Sequence, residues 1–206
     1  MSNIRNIVVP VLCAITLIVP AHKQQAWAQT KADQSVSKSQ AATLHSAESW
    51  RAKVKQELPL LGHRNWIMIV DSAYPLQTAA GVETLETNAP LPEVAQEVIQ
   101  DLDKSIHVRP IVYMDAELPY LSDEDAPGVT RYRQDIQSIL GNRAVSRLPH
   151  EQILSKVDET GKTFHILVLK TTLAIPYTSV FLQLDCKYWS AASETKLRET
   201  IKAEIK

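Results

Sequence analysis

Two histidines and one aspartate occupy positions from which a folded chain can present them to a ligand. His63 precedes the apolar run Trp66–Val70, and Asp71 follows that run directly. His150 stands at the start of a later segment with helical apolar spacing. An imidazole can give or take a proton near neutral pH because its ordinary pKa is about 6.5. These residue types therefore suit general acid–base chemistry.

Hydroxyl side chains form a second candidate group near the carboxyl end of the chain. Tyr177, Thr178 and Ser179 come directly before an apolar run that starts at Val180. Alternate residues of an extended segment point to the same side, so Tyr177 and Ser179 are expected to face one ligand together.

Each candidate also has an ordinary structural explanation. Gly62 permits a tight or left-handed backbone, and His63 beside it can be a turn histidine. Asp71 can cap a turn, and His150 can cap a helix. A straight strand of seven residues spans about 23 Å, so His63 and Asp71 meet only if the chain bends back. From these residues alone, both interpretations stay open.

Apolar periodicity places the candidates within alternating strands and helices. The run at 66–70 is apolar throughout, which is typical of a strand buried on both faces of a parallel sheet. The pattern predicts a single α/β domain with a central, mostly parallel or mixed sheet flanked by helices. The predicted strands are 66–70, 109–114, 144–147, 165–169 and 180–184, and the predicted helices lie within 49–61 (ending in a turn), 91–102, 125–140, 150–156 and 193–206.

The order of these motifs resembles the ribose pyranase and fucose mutarotase family, the RbsD/FucU-like proteins. The matching pieces are LGHRNWIMIVDSAYP (61–75), PHEQI (149–153) and PYTSVFL (176–182), within a likeness that covers roughly residues 54–184. The resemblance implies an α/β sugar mutarotase that needs no cofactor or metal. It implies His63 as the proton donor, with sugar contacts from Asp71, His150, Tyr177, Thr178 and Ser179.

The same resemblance implies a homo-oligomer with shared sites. In the family, subunits form rings, and the segment that matches Tyr177–Ser179 reaches into a neighbouring subunit's site. A head-to-tail interface that closes into a ring would present His63 of one subunit to Tyr177 of the next. The expected ligand is a monosaccharide.

Three departures from the family pattern support a rival interpretation. Asn65 stands where members usually carry an acid, Ser179 stands where they usually carry asparagine, and Thr172-Leu173 replaces a Gly-Glu pair. The rival is a noncatalytic sugar-binding or accessory protein on the same scaffold. A hydrolase is a weaker alternative because the sequence shows no nucleophile motif and no set of metal ligands.

The first 28 residues predict a cleavable secretory signal, whereas the family's members are typically cytoplasmic. Arg5 precedes an apolar run at 7–21, and Ala26-Trp27-Ala28 supplies the small residues that signal peptidase accepts. An uncleaved membrane anchor is the alternative. Residues 29–48 are polar and are expected to form a flexible leader, followed by the domain at 49–206. The predicted location is periplasmic or extracellular, with no membrane span after cleavage.

Composition excludes several other functions. The chain carries 22 basic and 23 acidic residues, and loss of the signal would remove Arg5 and Lys23. A slightly acidic protein is not expected to bind nucleic acid. Cys186 would be the single cysteine of the mature chain, which rules out an intramolecular disulfide there. No CxxC or HExxH spacing indicates a metal site.

Overall fold

The computed structural model describes residues 50–205, so the predicted signal and leader lie outside the described residues. Within this range no helix is long and apolar enough to cross a membrane. The elements in chain order are α1 (50–57), β1 (Trp66–Val70), β2 (Val82–Glu86), α2 (Leu91–Lys104), β3 (Val108–Asp115), a short 3-10 helix (Leu118–Tyr120), α3 (Val129–Leu140), β4 (Val145–Leu148), α4 (His150–Gly161), β5 (Ile166–Lys170), β6 (Val180–Cys186) and α5 (Ala191–Glu204).

The strands form one six-stranded sheet in the order β2-β5-β1-β6-β3-β4. β6 runs antiparallel to both of its neighbours, β1 and β3. The other adjacent pairs are parallel. The sheet is therefore mixed and flanked by helices, which confirms the predicted fold class.

β1 lies near the middle of the sheet and is buried on both faces, as its unbroken apolar run predicts. Ile67 and Ile69 belong to the core cluster on one face, which also contains the apolar residues of α2 and α3. Trp66, Met68 and Val70 face the opposite cluster, which contains the α4 residues Ile153 and Val157. The five β1 side chains are at most 1% exposed. Two cores of this kind hold the strand ends in fixed positions.

Most predicted elements are found within about two residues of their predicted bounds, and three differ by more. β2 was not predicted, because this edge strand is only half-buried and its apolar alternation is weak. α3 begins at Val129 rather than 125, since Gly128 has a left-handed φ of 90° and its N–H donates to Asp123 Oδ1. α4 continues past 156 to Gly161, because its last turns pack on the sheet through Val157 and Gly161.

Gly81 gives a stability prediction at the start of β2. A Cβ at position 81 would lie 2.5 Å from the Gly161 carbonyl oxygen and 2.8 Å from that of Phe164. Backbone atoms cannot rotate away, so Gly81→Ala is expected to lower the free energy of unfolding by about 1–3 kcal/mol. Urea denaturation measures this, with Gly62→Ala as control because a Cβ there meets only Asn65 Oδ1, at 4.0 Å. Equal stability of the two variants would contradict the prediction.

Candidate active site

The candidate site is a cleft at the carboxyl edge of the parallel strands. Asp71 follows β1 and His150 follows β4 at this edge, where open α/β sheets bind ligands. Because β6 is antiparallel, the residues before its first position, Val180, reach the same edge. The cleft has a volume of about 420 Å³, within the range of about 300–1,000 Å³ for small-molecule sites. Its lining combines Asp71, Tyr74, His150 and Tyr177 with apolar side chains.

Asp71 is held at the rim by three hydrogen bonds, two to its carboxylate and one from its backbone N–H. Ser179 Oγ donates to Asp71 Oδ2 at 3.1 Å, and the Asp71 N–H in turn donates to Ser179 Oγ at 3.4 Å. Asp71 Oδ1 accepts from the Ala73 N–H at 2.9 Å. Asp71 therefore caps the turn after β1 and still lines the cleft, so the two explanations from sequence apply together.

His150 is held from three sides at the first turn of α4. Its Nδ1 lies 3.1 Å from Oδ1 of Asp115, the last residue of β3. Its backbone N–H donates to the Glu117 carboxylate at 3.0 Å, which places a negative charge at the positive end of the helix. The ring of Tyr177 meets the imidazole edge-on, with ring centres 5.5 Å apart. The imidazole orientation is thereby fixed.

Asp115 is a site residue that sequence reasoning missed. Its side chain is 0% exposed, and Oδ2 has no hydrogen-bond partner among the described residues. Burial raises the pKa of the Asp115 carboxyl, and the nearby acids Glu117 and Asp71 act in the same direction, while His150 opposes them. The sequence did contain a signal for Asp115. It is an acid that directly follows the predicted strand RPIVYM, just as Asp71 follows the run Trp66–Val70, so both stand at the carboxyl ends of predicted strands.

Two tyrosines complete the surroundings of the cleft and were also missed. Tyr74 lines the cleft, is 5% exposed, and its hydroxyl has no partner within residues 50–205. Tyr132 of α3 is buried, and its hydroxyl donates to the Thr178 carbonyl. Burial raises the pKa of both phenols, so both stay neutral at physiological pH.

The described domain is similar in fold to solved RbsD and FucU structures. No protein-family model matches the sequence, and no curated protein matches it. RbsD of Bacillus subtilis, solved with D-ribose, superposes with a TM-score of 0.46 and 18% identity, over 65% of this chain and 91% of that one. The fucose mutarotase of Streptococcus pneumoniae, solved with L-fucose, superposes with a TM-score of 0.43 and 17% identity, over 63% of this chain and 89% of that one. For FucU of Bifidobacterium longum the TM-score is 0.43 and the identity 13%, over 65% of this chain and 94% of that one.

His63 does not lie in this cleft. It precedes β1, whereas Asp71 follows it, so the two residues lie at opposite ends of a strand about 17 Å long at 3.3 Å per residue. The exposed imidazole lines a different surface pocket of about 580 Å³, together with Arg109, Asp185 and Trp189. Within one chain, the structure therefore brings Asp71, His150 and Tyr177 together and leaves His63 at the opposite edge of the sheet.

The loop that carries His63 is built differently from the sequence expectation. The left-handed residue is Arg64, with φ of 79°, rather than Gly62. Arg64 Nε donates to His63 Nε2 at 3.1 Å. Asn65 accepts from the Gly62 N–H and donates to the His165 carbonyl, two roles that an ionised acid could not combine. The departure at Asn65 thus has a structural function in this chain.

The segment from Tyr177 to Ser179 is not extended, so the reason given for pairing its hydroxyls was wrong. Tyr177 has φ of 58° and lies in a turn. Its side chain stays 36% exposed, whereas Ser179 is 1% exposed and bonds Asp71. The buried Thr178 hydroxyl donates to the Ile175 carbonyl. Only Tyr177 of the three lines the open cleft.

One group of side chains away from the cleft has the types that bind metal ions. Ligand atoms of Glu57, Glu83 and His165 all lie within 4.8 Å of one another. Lys53 Nζ lies 2.7 Å from Glu57 and 3.0 Å from Glu83. The ammonium group thus bridges the two carboxylates, offsets part of their repulsion and accounts for their proximity without an ion.

Asp115 gives a prediction on stability and pH. A buried acid whose pKa is raised in the folded state binds more protons there than in the unfolded chain, so it costs stability as pH rises above its ordinary 3.8. Asp115→Asn is expected to be more stable than the parent by about 1 kcal/mol near neutral pH. This advantage should grow as pH rises from about 3.8 to the raised pKa of Asp115 in the folded protein, and stay constant above it. Urea denaturation across pH measures it, and a shrinking advantage would contradict it.

Proposed function

We propose that this chain is an exported monosaccharide mutarotase or pyranase that interconverts anomers or ring forms of a ribose- or fucose-like sugar. The observation that carries the proposal is the cleft in which a carboxylate, an imidazole and a phenol meet, those of Asp71, His150 and Tyr177. Such groups hydrogen-bond sugar hydroxyls and transfer protons. Breaking and re-forming the bond between the anomeric carbon and the ring oxygen needs only acid and base assistance, so side chains suffice and no cofactor is needed.

Opening a sugar ring requires an acid and a base on either side of the hemiacetal. The acid protonates the ring oxygen as its bond to the anomeric carbon breaks, and the base takes the proton of the anomeric hydroxyl. We assign the acid to His63, as the sequence resemblance implies. Because His63 lies at the far edge of its own sheet, a neighbouring subunit supplies it to each cleft.

Exposed apolar side chains at both edges support a contact between copies of the chain. Tyr188 and Trp189, beside His63, are 77% and 43% exposed. Leu76, next to the cleft residue Pro75, is 73% exposed. A head-to-tail interface would bury these side chains and join the His63 pocket to the next chain's cleft. Repeated around a closed ring, it would complete every site.

Export belongs to the same proposal and has a direct test. The small residues Ala26 and Ala28 define one cleavage position. When the full chain is expressed in a secreting host, the mature protein is expected to begin at Gln29. Amino-terminal sequencing or intact mass of the secreted protein measures this. A product that keeps its first 28 residues in the membrane fraction would support the anchored alternative.

The activity itself is tested by NMR saturation transfer between the anomers of ribose, fucose and related monosaccharides. With the purified protein, the exchange rate of at least one sugar should rise above its spontaneous rate in proportion to protein concentration. Heat-denatured protein at the same concentration is the control. If no sugar shows faster exchange, the enzyme proposal is wrong.

A noncatalytic sugar-binding protein remains the second candidate, and the Asp71–Ser179 pair favours it. Both groups already satisfy each other without a ligand, and Ser179 is buried. The same NMR samples distinguish the two candidates. Line broadening or ligand-detected saturation without anomer exchange would support binding alone.

A further inference from the structure

The pair formed by Asp115 and His150 has the construction of a proton-transfer dyad. Asp115 is fully buried, and its Oδ1 lies 3.1 Å from His150 Nδ1. The His150 side chain is 30% exposed and lines the cleft. An acid beneath a half-exposed imidazole fixes which ring nitrogen carries the proton. With Nδ1 engaged below, Nε2 is the nitrogen available to a ligand.

The surroundings of the pair restrain its geometry. The Glu117 carboxylate holds the His150 backbone N–H, so the first turn of α4 cannot shift without losing a charge-assisted bond. Tyr177 packs edge-on against the ring. A general base must keep one orientation and one tautomer to accept a proton efficiently. These contacts supply both.

Helix capping alone does not explain Asp115. Glu117 already satisfies the His150 backbone N–H, and Asp115 adds no bond to a helix end. Asp115 Oδ2 has no hydrogen-bond partner among residues 50–205, and a buried carboxylate with an unpaired oxygen lowers stability. An acid that costs stability and orients a ligand-facing imidazole is expected where function requires it.

We propose that His150, oriented by Asp115, is the general base of the cleft. The inference rests on the proposed mutarotase function and adds the group that works opposite the acid. His150 Nε2 takes the proton of the anomeric hydroxyl, the C1–O1 bond becomes a carbonyl, and the bond from C1 to the ring oxygen breaks as that oxygen is protonated. Rotation about C1–C2 and the reverse steps give the other anomer. Asp115 is a positioning residue, and His150 is the catalytic one.

The tautomer of His150 tests the dyad without any assay of activity. In the ¹⁵N-labelled parent protein, at a pH where the spectra show a singly protonated His150 ring, two-bond proton–nitrogen correlation should show Nδ1 protonated and Nε2 unprotonated. In Asp115→Asn, the amide can donate to Nδ1, so the proton is expected to move to Nε2. A parent protein with the proton on Nε2 would overturn the base assignment.

Kinetics then test the roles. His150→Gln should lower the maximal exchange rate by about 10²-fold or more. Asp115→Asn should lower it by at least about tenfold with little change in the sugar concentration at half-maximal rate, because it alters the tautomer and not the sugar contacts. The double variant should be no slower than His150→Gln alone, since Asp115 acts through His150. Asp135→Asn, the same change at an exposed ion pair on α3, is the matched control and should keep the parent rate.

The outcomes separate this inference from the proposed function. Absence of exchange by the parent protein would overturn both. Exchange by the parent that survives in His150→Gln, or that Asp115→Asn leaves unchanged while circular dichroism shows a folded protein, would overturn the dyad and leave the mutarotase proposal intact. Additive losses in the double variant would assign Asp115 a role independent of His150 and contradict the positioning argument.

Discussion

Replacement of His63 by alanine is expected to lower anomer exchange by about 10²–10⁴-fold, because it removes the group assigned to protonate the ring oxygen. The imidazole is exposed and accepts a hydrogen bond from the side chain of its neighbour Arg64. Its loss should therefore leave the free energy of unfolding within about 0.5 kcal/mol of the parent. Saturation transfer measures the rate, and urea denaturation measures the stability.

His165→Ala is the matched control for this variant. His165 precedes β5 at the same edge of the sheet as His63 and bonds Glu57 rather than any cleft residue. It should keep the exchange rate of the parent. A His63→Ala protein that retains most of the activity would refute the assignment of the acid.

Mixing two inactive variants is expected to restore activity, which tests whether each site is shared between chains. His63→Ala keeps an intact cleft, and His150→Gln keeps an intact His63. If the variants are unfolded together in equal amounts and reassembled, about a quarter of the sites should receive both residues, because different chains supply them independently. Recovered exchange near a quarter of that of reassembled parent protein is the expected result.

A second mixture sharpens this test. Parent protein reassembled with an equal amount of the double variant His63→Ala/His150→Gln should give about a quarter of full activity if sites are shared. It should give about half if both residues of a site come from one chain. No recovery in the first mixture together with half activity in the second would refute the shared site.

The sequence alone was sufficient for the fold class and for most elements. The unbroken run Trp66–Val70 predicted a strand buried on both faces, and burial of its side chains confirms it. Apolar spacing likewise located α2 and the start of α4. These features are local, since the period of apolar residues along a segment reports which faces it must bury. β2 was missed because a half-buried edge strand has little such period.

Only the tertiary structure decided which candidates form one site. The antiparallel direction of β6 brings Ser179 to Asp71, 108 positions earlier, and the pairing of β3 with β4 brings Asp115 beneath His150. The straight strand β1 also places His63 and Asp71 at its opposite ends, so His63 lies outside the cleft although only seven residues separate the two in sequence. The sequence determined the residue types and the strands that carry them. Strand order and direction, which depend on packing between distant segments, determined which of them meet.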